Sequence, residues 1–192
     1  GLGKRMRPLT ATRPKPLIKV AGQPLIDHAL TRLEAAGIER TIVNVHYLAD
    51  TIIAHLKARR SAMEILISDE RERLLETGGG LMKAASLIGD EPFVCANSDN
   101  LWIDGPRGSI AMLADLWEDT RMDALLLVVP HARANCHSGS GDFHMAADGH
   151  LSRRKSGHVA PFVFTGVQIM SPRLLRDPPD EVGIRGHRLA DH

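Results

Sequence analysis

The chain of 192 residues has only two cysteines, Cys95 and Cys136, and they form neither a CxxC pair nor a zinc spacing. That excludes a disulfide framework and leaves reduced thiols in a reducing compartment as the expectation. No apolar run reaches the roughly 18–20 residues that a membrane-spanning helix needs, and no secretory signal pattern is visible. Charge of one sign is not in surplus: 24 Lys and Arg stand against 23 Asp and Glu, a net charge of +1. Such a balance gives no support for nucleic acid or an anionic membrane as a partner. The resulting expectations are a cytoplasmic location, no nucleic acid and no membrane.

Two familiar glycine motifs are also lacking. There is no GxxxxGK[ST], so the chain is not a P-loop protein. Gly1-Leu2-Gly3 is followed by Lys4-Arg5-Met6 and lacks the third glycine of a dinucleotide fingerprint.

The composition, 43% apolar and 24% charged, is that of a globular protein, and the length suits one domain with a sizeable core. The cations are unevenly spread. Lys4, Arg5, Arg7, Arg13, Lys15 and Lys19 crowd the first twenty positions with no acid among them. A local anion site follows better from that than a whole-surface field.

Residues 1–24 read as loop, punctuated by Gly and Pro. Helical spacing from Leu25 to Gly37 gives a first helix, Thr41–Val45 a buried strand, Ala49–Arg60 a helix and Glu64–Ser68 a strand. Thr77-Gly78-Gly79-Gly80 reads as a loop preceding a short helix through Leu87. Pro92–Asn97 is a strand, Ser109–Asp119 an amphipathic helix and Ala124–Val129 an apolar strand. This alternation predicts an α/β fold, with a mostly parallel sheet flanked by helices. After residue 130, Phe143–Met145 and Val159–Met170 read as strands of a smaller appended β region, and Asp177–His192 has no assignable pattern. A single domain is expected over 1–192, with an α/β core at 1–130 and a β-rich part at 131–192. Glycine loops of the opening type normally follow a buried strand, so a first strand is expected to lie outside this sequence; the C-terminal end is expected to be incomplete as well.

Several residues carry chemistry. The glycines of Gly1-Leu2-Gly3 let backbone N–H groups approach phosphate oxygens. Arg5 has the planar fork that grips phosphate. Lys15, framed by Pro14 and Pro16, has little backbone freedom, which suits an electrostatic clamp rather than a mobile nucleophile. Asp99 follows an apolar strand at its carboxyl end, where ligands gather in open α/β sheets. There it serves either as a Mg²⁺ ligand or as a turn residue among Asn97, Ser98 and Asn100; Asp104 lies nearby. Glu76-Thr77-Gly78-Gly79-Gly80 offers bare backbone that can lie against a base, or a helix N-terminal loop capped by Thr77. The histidines at 131, 137, 144, 150 and 158 make no recognised ligand spacing. Trp102 and Trp117 suit packing, and Ser98 has no evident base.

Gly-Leu-Gly-Lys-Arg-Met-Arg-Pro-Leu-Thr followed by Arg13-Pro-Lys-Pro-Leu resembles the opening motif of the sugar-phosphate nucleotidyltransferase family. Ala21-Gly-Gln-Pro-Leu-Ile, Asn97-Ser-Asp99 and Thr165-Gly166 extend the resemblance over almost the whole chain. It implies a Rossmann-like core with an appended sugar-binding β region and formation of an NDP-sugar and pyrophosphate from an NTP and a sugar 1-phosphate. It further implies Mg²⁺ on Asp99, catalytic roles for Arg5 and Lys15, and nucleotide contacts from Gly1, Leu2, Gly3, Glu76, Thr77, Gly78 and Gly79. Sugar-phosphate contacts fall to Gly141, Asp142, Thr165 and Gly166. Glu-Thr-Gly-Gly-Gly and Gly141-Asp142-Phe143 look like the N-acetylmuramate 1-phosphate uridylyltransferase branch, implying UTP, N-acetylmuramate α-1-phosphate and a place in peptidoglycan recycling. The same-fold alternative is GTP with mannose 1-phosphate.

Two departures stand out. Where family members carry a Glu-Lys pair, this chain has Ser152-Arg-Arg-Lys-Ser156, and Arg153, Arg154 and Lys155 all remain candidates for the phosphate contact. Nothing from Val182 to His192 matches the family's second metal-binding Asp segment. That second departure favours a different class, a non-catalytic nucleotide or sugar-phosphate sensor.

Overall fold

A computed structural model describes residues 3, 6–72, 75, 77–135 and 137–176. Two-residue strands β1 (Lys19–Val20) and β2 (Gln23–Pro24) form an antiparallel hairpin closed by Ala21 and Gly22, both with positive φ. The sequence reads as loop there, because two-residue strands carry no alternation to detect. Helix α1 (Leu25–Ala35) buries Leu25, Ile26, Ala29, Leu30 and Leu33, an i, i+3, i+4 stripe. It stops in paired reverse bonds, Gly37 N–H to Glu34 O at 3.0 Å and Ile38 N–H to Leu33 O at 3.1 Å, which satisfy carbonyls the helix leaves open.

Strand β3 (Arg40–Val45), helix α2 (Ala49–Ala58) and strand β4 (Glu64–Asp69) form a parallel βαβ unit, in register from Arg40 opposite Glu64 to Val45 opposite Asp69. Helix α3 (Thr77–Ile88) follows. Thr77–Gly80, expected to precede the helix, form its first turn instead. Each glycine disfavours helix by about 1 kcal/mol against alanine, but close packing overrides propensity. A Cβ on Gly80 would stand 2.7 Å from Glu70 Oε1 and 2.9 Å from Asn44 Nδ2.

Strand β5 (Phe93–Ala96), helix α4 (Ser109–Leu116) and strand β6 (Ala124–Pro130) continue the alternation. The β-rich part adds β7 (Phe143–Met145), β8 (Leu151–Arg153), β9 (Phe162–Met170) and the short helix α5 (Arg173–Arg176). Strand β9 organises this sheet. One of its edges pairs antiparallel with β6, from Phe162 opposite Pro130 to Met170 opposite Ala124. The other pairs with β5 over Val167–Met170 and meets β7 at Phe162. Strands β5 and β6 are both antiparallel to β9, so they run in one direction. The architecture is the Rossmann-like α/β class expected. Among the described residues its pairs are parallel for β3–β4 and antiparallel around β9 and within the two hairpins.

One apolar cluster joins the layers: Ile26, Leu30 and Leu33 of α1, Val45, Ile52 and Leu56 of the βαβ unit, Trp102, Ile110 and Leu113 near α4, and Val167 and Ile169 of β9. Fully burying a Val or Leu side chain contributes roughly 1.5–3 kcal/mol. Ile110 and Leu113, on the apolar face of the amphipathic helix expected from Ser109, build this core, whereas Leu116 on the same helix is exposed.

The packing of Gly80 gives a prediction opposite in sign to helix propensity. Gly80→Ala should lower the denaturant midpoint, by a stability loss of about 1–3 kcal/mol, because Glu70 is buried and already bonded to Asn44. An alanine variant more stable than the parent would contradict the packing.

Candidate active site

The loop before β1 is fixed from several sides. Pro14 O accepts Leu17 N–H at 2.9 Å and Lys15 O accepts Ile18 N–H at 3.1 Å, making a single 3₁₀ turn over Lys15–Leu17. Pro14 and Leu17 are buried anchors on either side of Lys15. Thr10, also buried, donates its hydroxyl to Gly3 O at 2.8 Å. The Tyr47 hydroxyl, just beyond β3, lies 3.0 Å from Ala11 O and 3.2 Å from Thr10 O, one proton shared between two carbonyls. The loop is thereby tied to the carboxyl end of β3. Lys15 extends to Asp99, with Nζ 2.5 Å from Oδ2.

Asp99 owes its place to a notch in β9. Strand β5 ends at Ala96 opposite Val167, and β7 begins only opposite Phe162. Between them, the backbone of residues 163–166 on that edge has no strand partner, and buried backbone groups must find others. Asn97 N–H bonds Gly166 O at 2.9 Å and Asn100 Nδ2 donates to Thr165 O at 2.7 Å. The Asp142 carboxylate accepts Phe164 N–H at 2.9 Å. Register across to β6 also shifts here, leaving Leu127 opposite Thr165–Val167, and Thr165 donates its hydroxyl to Leu127 O at 2.9 Å. Gly166 has φ +81°, and a Cβ on it would stand 2.5 Å from Asn100 Nδ2 and 2.7 Å from Asn97 Nδ2. Only glycine admits both amides. The loop 97–100 is thus held against the bulge, and Asp99 rides on it.

Gly3, Met6, Lys15, Asn44, His46, Tyr47, Ser98 and Asp99 line a cleft of about 390 Å³ together with Pro14, Pro16 and Ile52. It carries one lysine, one carboxylate and the polar side chains of Asn44, His46, Tyr47 and Ser98. Among the described residues no group of three or more His, Cys, Asp and Glu gathers to cage a metal. A lone strand-end carboxylate is nonetheless the donor set Mg²⁺ uses when phosphates and waters complete its shell, so Asp99 fits that ion. Asp104 does not join it. Its Oδ1 accepts Ser109 N–H at 2.8 Å and the Ser109 hydroxyl at 2.5 Å, and Arg32 Nε lies 3.5 Å from Oδ2. Burial pushes this carboxyl upward, but the Ser109 bonds and Arg32 hold it below the usual carboxylate value. It fastens the start of α4.

The structure therefore brings Gly3, Lys15 and Asp99 into one cleft and ties Thr165, Gly166 and Asp142 to the notch beside it. Gly78 and Gly79 sit in the first turn of α3, Gly79 against Leu75. Gly1, Leu2, Arg5, Glu76 and the Thr77 side chain lie outside the described residues, as does the C-terminal segment from 177. Of the three candidates at the end of β8 and just beyond it, Arg154 is committed to the carbonyls of Gly141 (2.9 Å), His158 (3.0 Å) and Lys155 (3.3 Å). Arg153 lies over the Phe143 ring, 5.8 Å from its centroid. Asn44, His46 and Tyr47 were missed by sequence reasoning. They are polar residues at the carboxyl end of a buried strand, the same signal that singled out Asp99.

This Rossmann-like α/β fold, with a lysine and a carboxylate meeting in a cleft at strand ends, is of the class that binds ligands at the carboxyl ends of its strands. The nucleotidyl transferase family model matches residues 1–136, and the chain belongs to that family. It is 45% identical over 183 residues to the N-acetylmuramate alpha-1-phosphate uridylyltransferase of Caulobacter vibrioides, covering 94% of this chain and 76% of that one. The protein of the same name from Neisseria meningitidis is 34% identical over 175 residues, covering 91% and 73%. In fold it is similar to the UTP-bound UGPase from Acinetobacter baumannii, with a TM-score of 0.73 at 16% identity, covering 95% and 76%. No helix among the described residues is long and apolar enough to cross a membrane.

The tether from Tyr47 gives a second prediction. Tyr47→Phe should speed amide hydrogen exchange at Leu17 and Ile18 severalfold while costing the whole fold only about 1 kcal/mol. Unchanged exchange in that turn would show that the hydroxyl does not hold the loop.

Proposed function

We propose that the chain transfers a uridylyl group from UTP to N-acetylmuramate α-1-phosphate, releasing pyrophosphate. The observation that carries this reading is the juxtaposition of Lys15 and Asp99 at 2.5 Å in the cleft beside the Thr165–Gly166 bulge. The substrate pair draws on the names of the two uridylyltransferases. On this reading residues 1–130 hold the nucleotide and the β-rich part from 131 onward holds the sugar phosphate.

A phosphate oxygen of the sugar 1-phosphate attacks the α-phosphorus of UTP in line. The bond from that phosphorus to the bridging oxygen breaks, and pyrophosphate leaves with the electron pair. Both reactants are anions, so the site must offset their repulsion. Mg²⁺ bound through Asp99 and the phosphates would neutralise part of that charge. Lys15 holds the same carboxylate in the free protein. When the triphosphate enters, the ammonium moves from Asp99 to a phosphate oxygen, freeing the carboxylate. Its frame between Pro14 and Pro16 keeps that movement to the side chain. On this reading Gly3, with Gly1, Leu2 and Arg5, would form the phosphate cradle, and Glu76, Thr77, Gly78 and Gly79 would contact the nucleoside. Gly141, Asp142, Thr165 and Gly166 line the sugar side; Asp142 does so while also holding Phe164 N–H. The reaction needs no covalent intermediate on the protein.

Pyrophosphate release should appear with Mg²⁺, UTP and N-acetylmuramate α-1-phosphate, and vanish on chelation with EDTA. Release with GTP and mannose 1-phosphate instead would move the assignment to that pair. Lys15→Ala and Asp99→Ala should each lower kcat/KM about a hundredfold or more. Near-normal turnover in both variants would remove the cleft from the chemistry. Nucleotide binding without turnover of any sugar 1-phosphate would favour a sensor.

A further inference from the structure

We propose that Asn44 selects the nucleobase, its side-chain oxygen Oδ1 accepting a hydrogen bond from the base's imino N–H, with Glu70 as the positioning residue behind it. The proposal rests on the nucleotidyl-transfer reading above. Asn44 stands near the end of β3 and lines the cleft with Gly3, Lys15 and Asp99. Its Nδ2 lies 2.5 Å from Glu70 Oε1 and 3.1 Å from Gly80 O. A carboxylate and a backbone carbonyl only accept, so both amide protons are committed and the amide has one orientation. A flipped amide would set Oδ1 against two acceptors. Oδ1 is therefore turned away from both, and no described residue bonds to it.

Glu70 is well suited to fix that orientation. It is 5% exposed, and its N–H donates to Val45 O at 2.7 Å. Its carbonyl lies 2.7 Å from His46 Nδ1, which must carry the proton there. One buried residue thus sets two cleft side chains, Asn44 through its carboxylate and His46 through its carbonyl. Gly80 in the first turn of α3 packs against the pair, since a Cβ there would stand within 3 Å of both Glu70 Oε1 and Asn44 Nδ2.

An acceptor held this way discriminates by base class. Uracil N3 and guanine N1 carry a proton and can donate to Oδ1. Cytosine N3 and adenine N1 carry a lone pair, which would face the Oδ1 lone pairs unpaired. The side chain of Asn44 thereby favours the keto bases, and separation of uracil from guanine falls to the shape of the rest of the cleft.

The test is calorimetric titration of the chain with UTP, GTP, CTP and ATP in Mg²⁺, with inorganic tripolyphosphate as the base-free control. The parent should bind UTP more tightly than CTP. Asn44→Ala should shrink the UTP-to-CTP affinity ratio about tenfold, the worth of one hydrogen bond, and leave tripolyphosphate binding unchanged. Glu70→Ala should shrink the same ratio, and Glu70→Gln, which keeps an acceptor for Nδ2, should restore it. Asn44→Ser, too short to reach the base, supplies the same readout if the alanine variant fails to fold. Equal UTP and CTP affinities in the parent, or an unchanged ratio in the folded Asn44 variants, would overturn the proposal while leaving nucleotidyl transfer standing. A parent that binds no nucleotide would overturn both.

Discussion

Lys15 and Asp99 are 84 residues apart in the chain and 2.5 Å apart in the fold. Each side chain is about one-third exposed, 33% and 32%, so water screens the attraction and the pair adds little to net stability. Its consequence is positional. The turn at Lys15–Leu17 can point its cation into the cleft only because Pro14 and Leu17 are buried beneath it. Asp99 can meet that cation only because the loop after β5 is pinned to the bulge of β9. On the proposed reading, an ion pair of this kind holds two opposite charges ready where a metal and a phosphate would bind, and each would exchange its neighbour for a better partner.

The notch on β9 is what couples the two halves of the chain. Backbone groups between β5 and β7 have no ladder partner, and leaving them buried and unpaired would cost about 1–3 kcal/mol each. Asn97, Asn100 and Asp142 supply the missing bonds. The first two come from the α/β core and the third from the β-rich part. The same bonds that repair the sheet therefore set the acidic side of the cleft against the expected sugar side. Gly166 is required for a concrete reason, that two asparagine amides occupy the space where its Cβ would be.

Much of this was legible in the residues. Leu25–Ala35 shows its element type because burial repeats at the helix period, and Ala124–Pro130 because it is a short continuous apolar run. Asp99 was legible as an acid ending an apolar strand, and Lys15 as a cation framed by prolines. Other features depend on distant partners. The helical start at Thr77–Gly80 is set by Glu70 and Asn44, which propensity does not register. Strand β9 reads as a strand, but its antiparallel entry between β5 and β6 is a property of the sheet. Asp104 reads as a companion to Asp99 by proximity, and it is Ser109 and Arg32 that claim it. Asn44 and His46 obey the strand-end rule as well as Asp99 does; their commitment to Glu70 emerges only when β3 and β4 are side by side.

The exchange of partners at Lys15 and Asp99 is the centre of the account, and a structure of the protein with Mg²⁺ and a non-hydrolysable UTP analogue tests it directly. In that complex Lys15 Nζ should lie on a phosphate oxygen and Asp99 in the metal shell, with their mutual contact broken. A bound nucleotide with the Lys15–Asp99 pair intact, and the metal elsewhere, would contradict it.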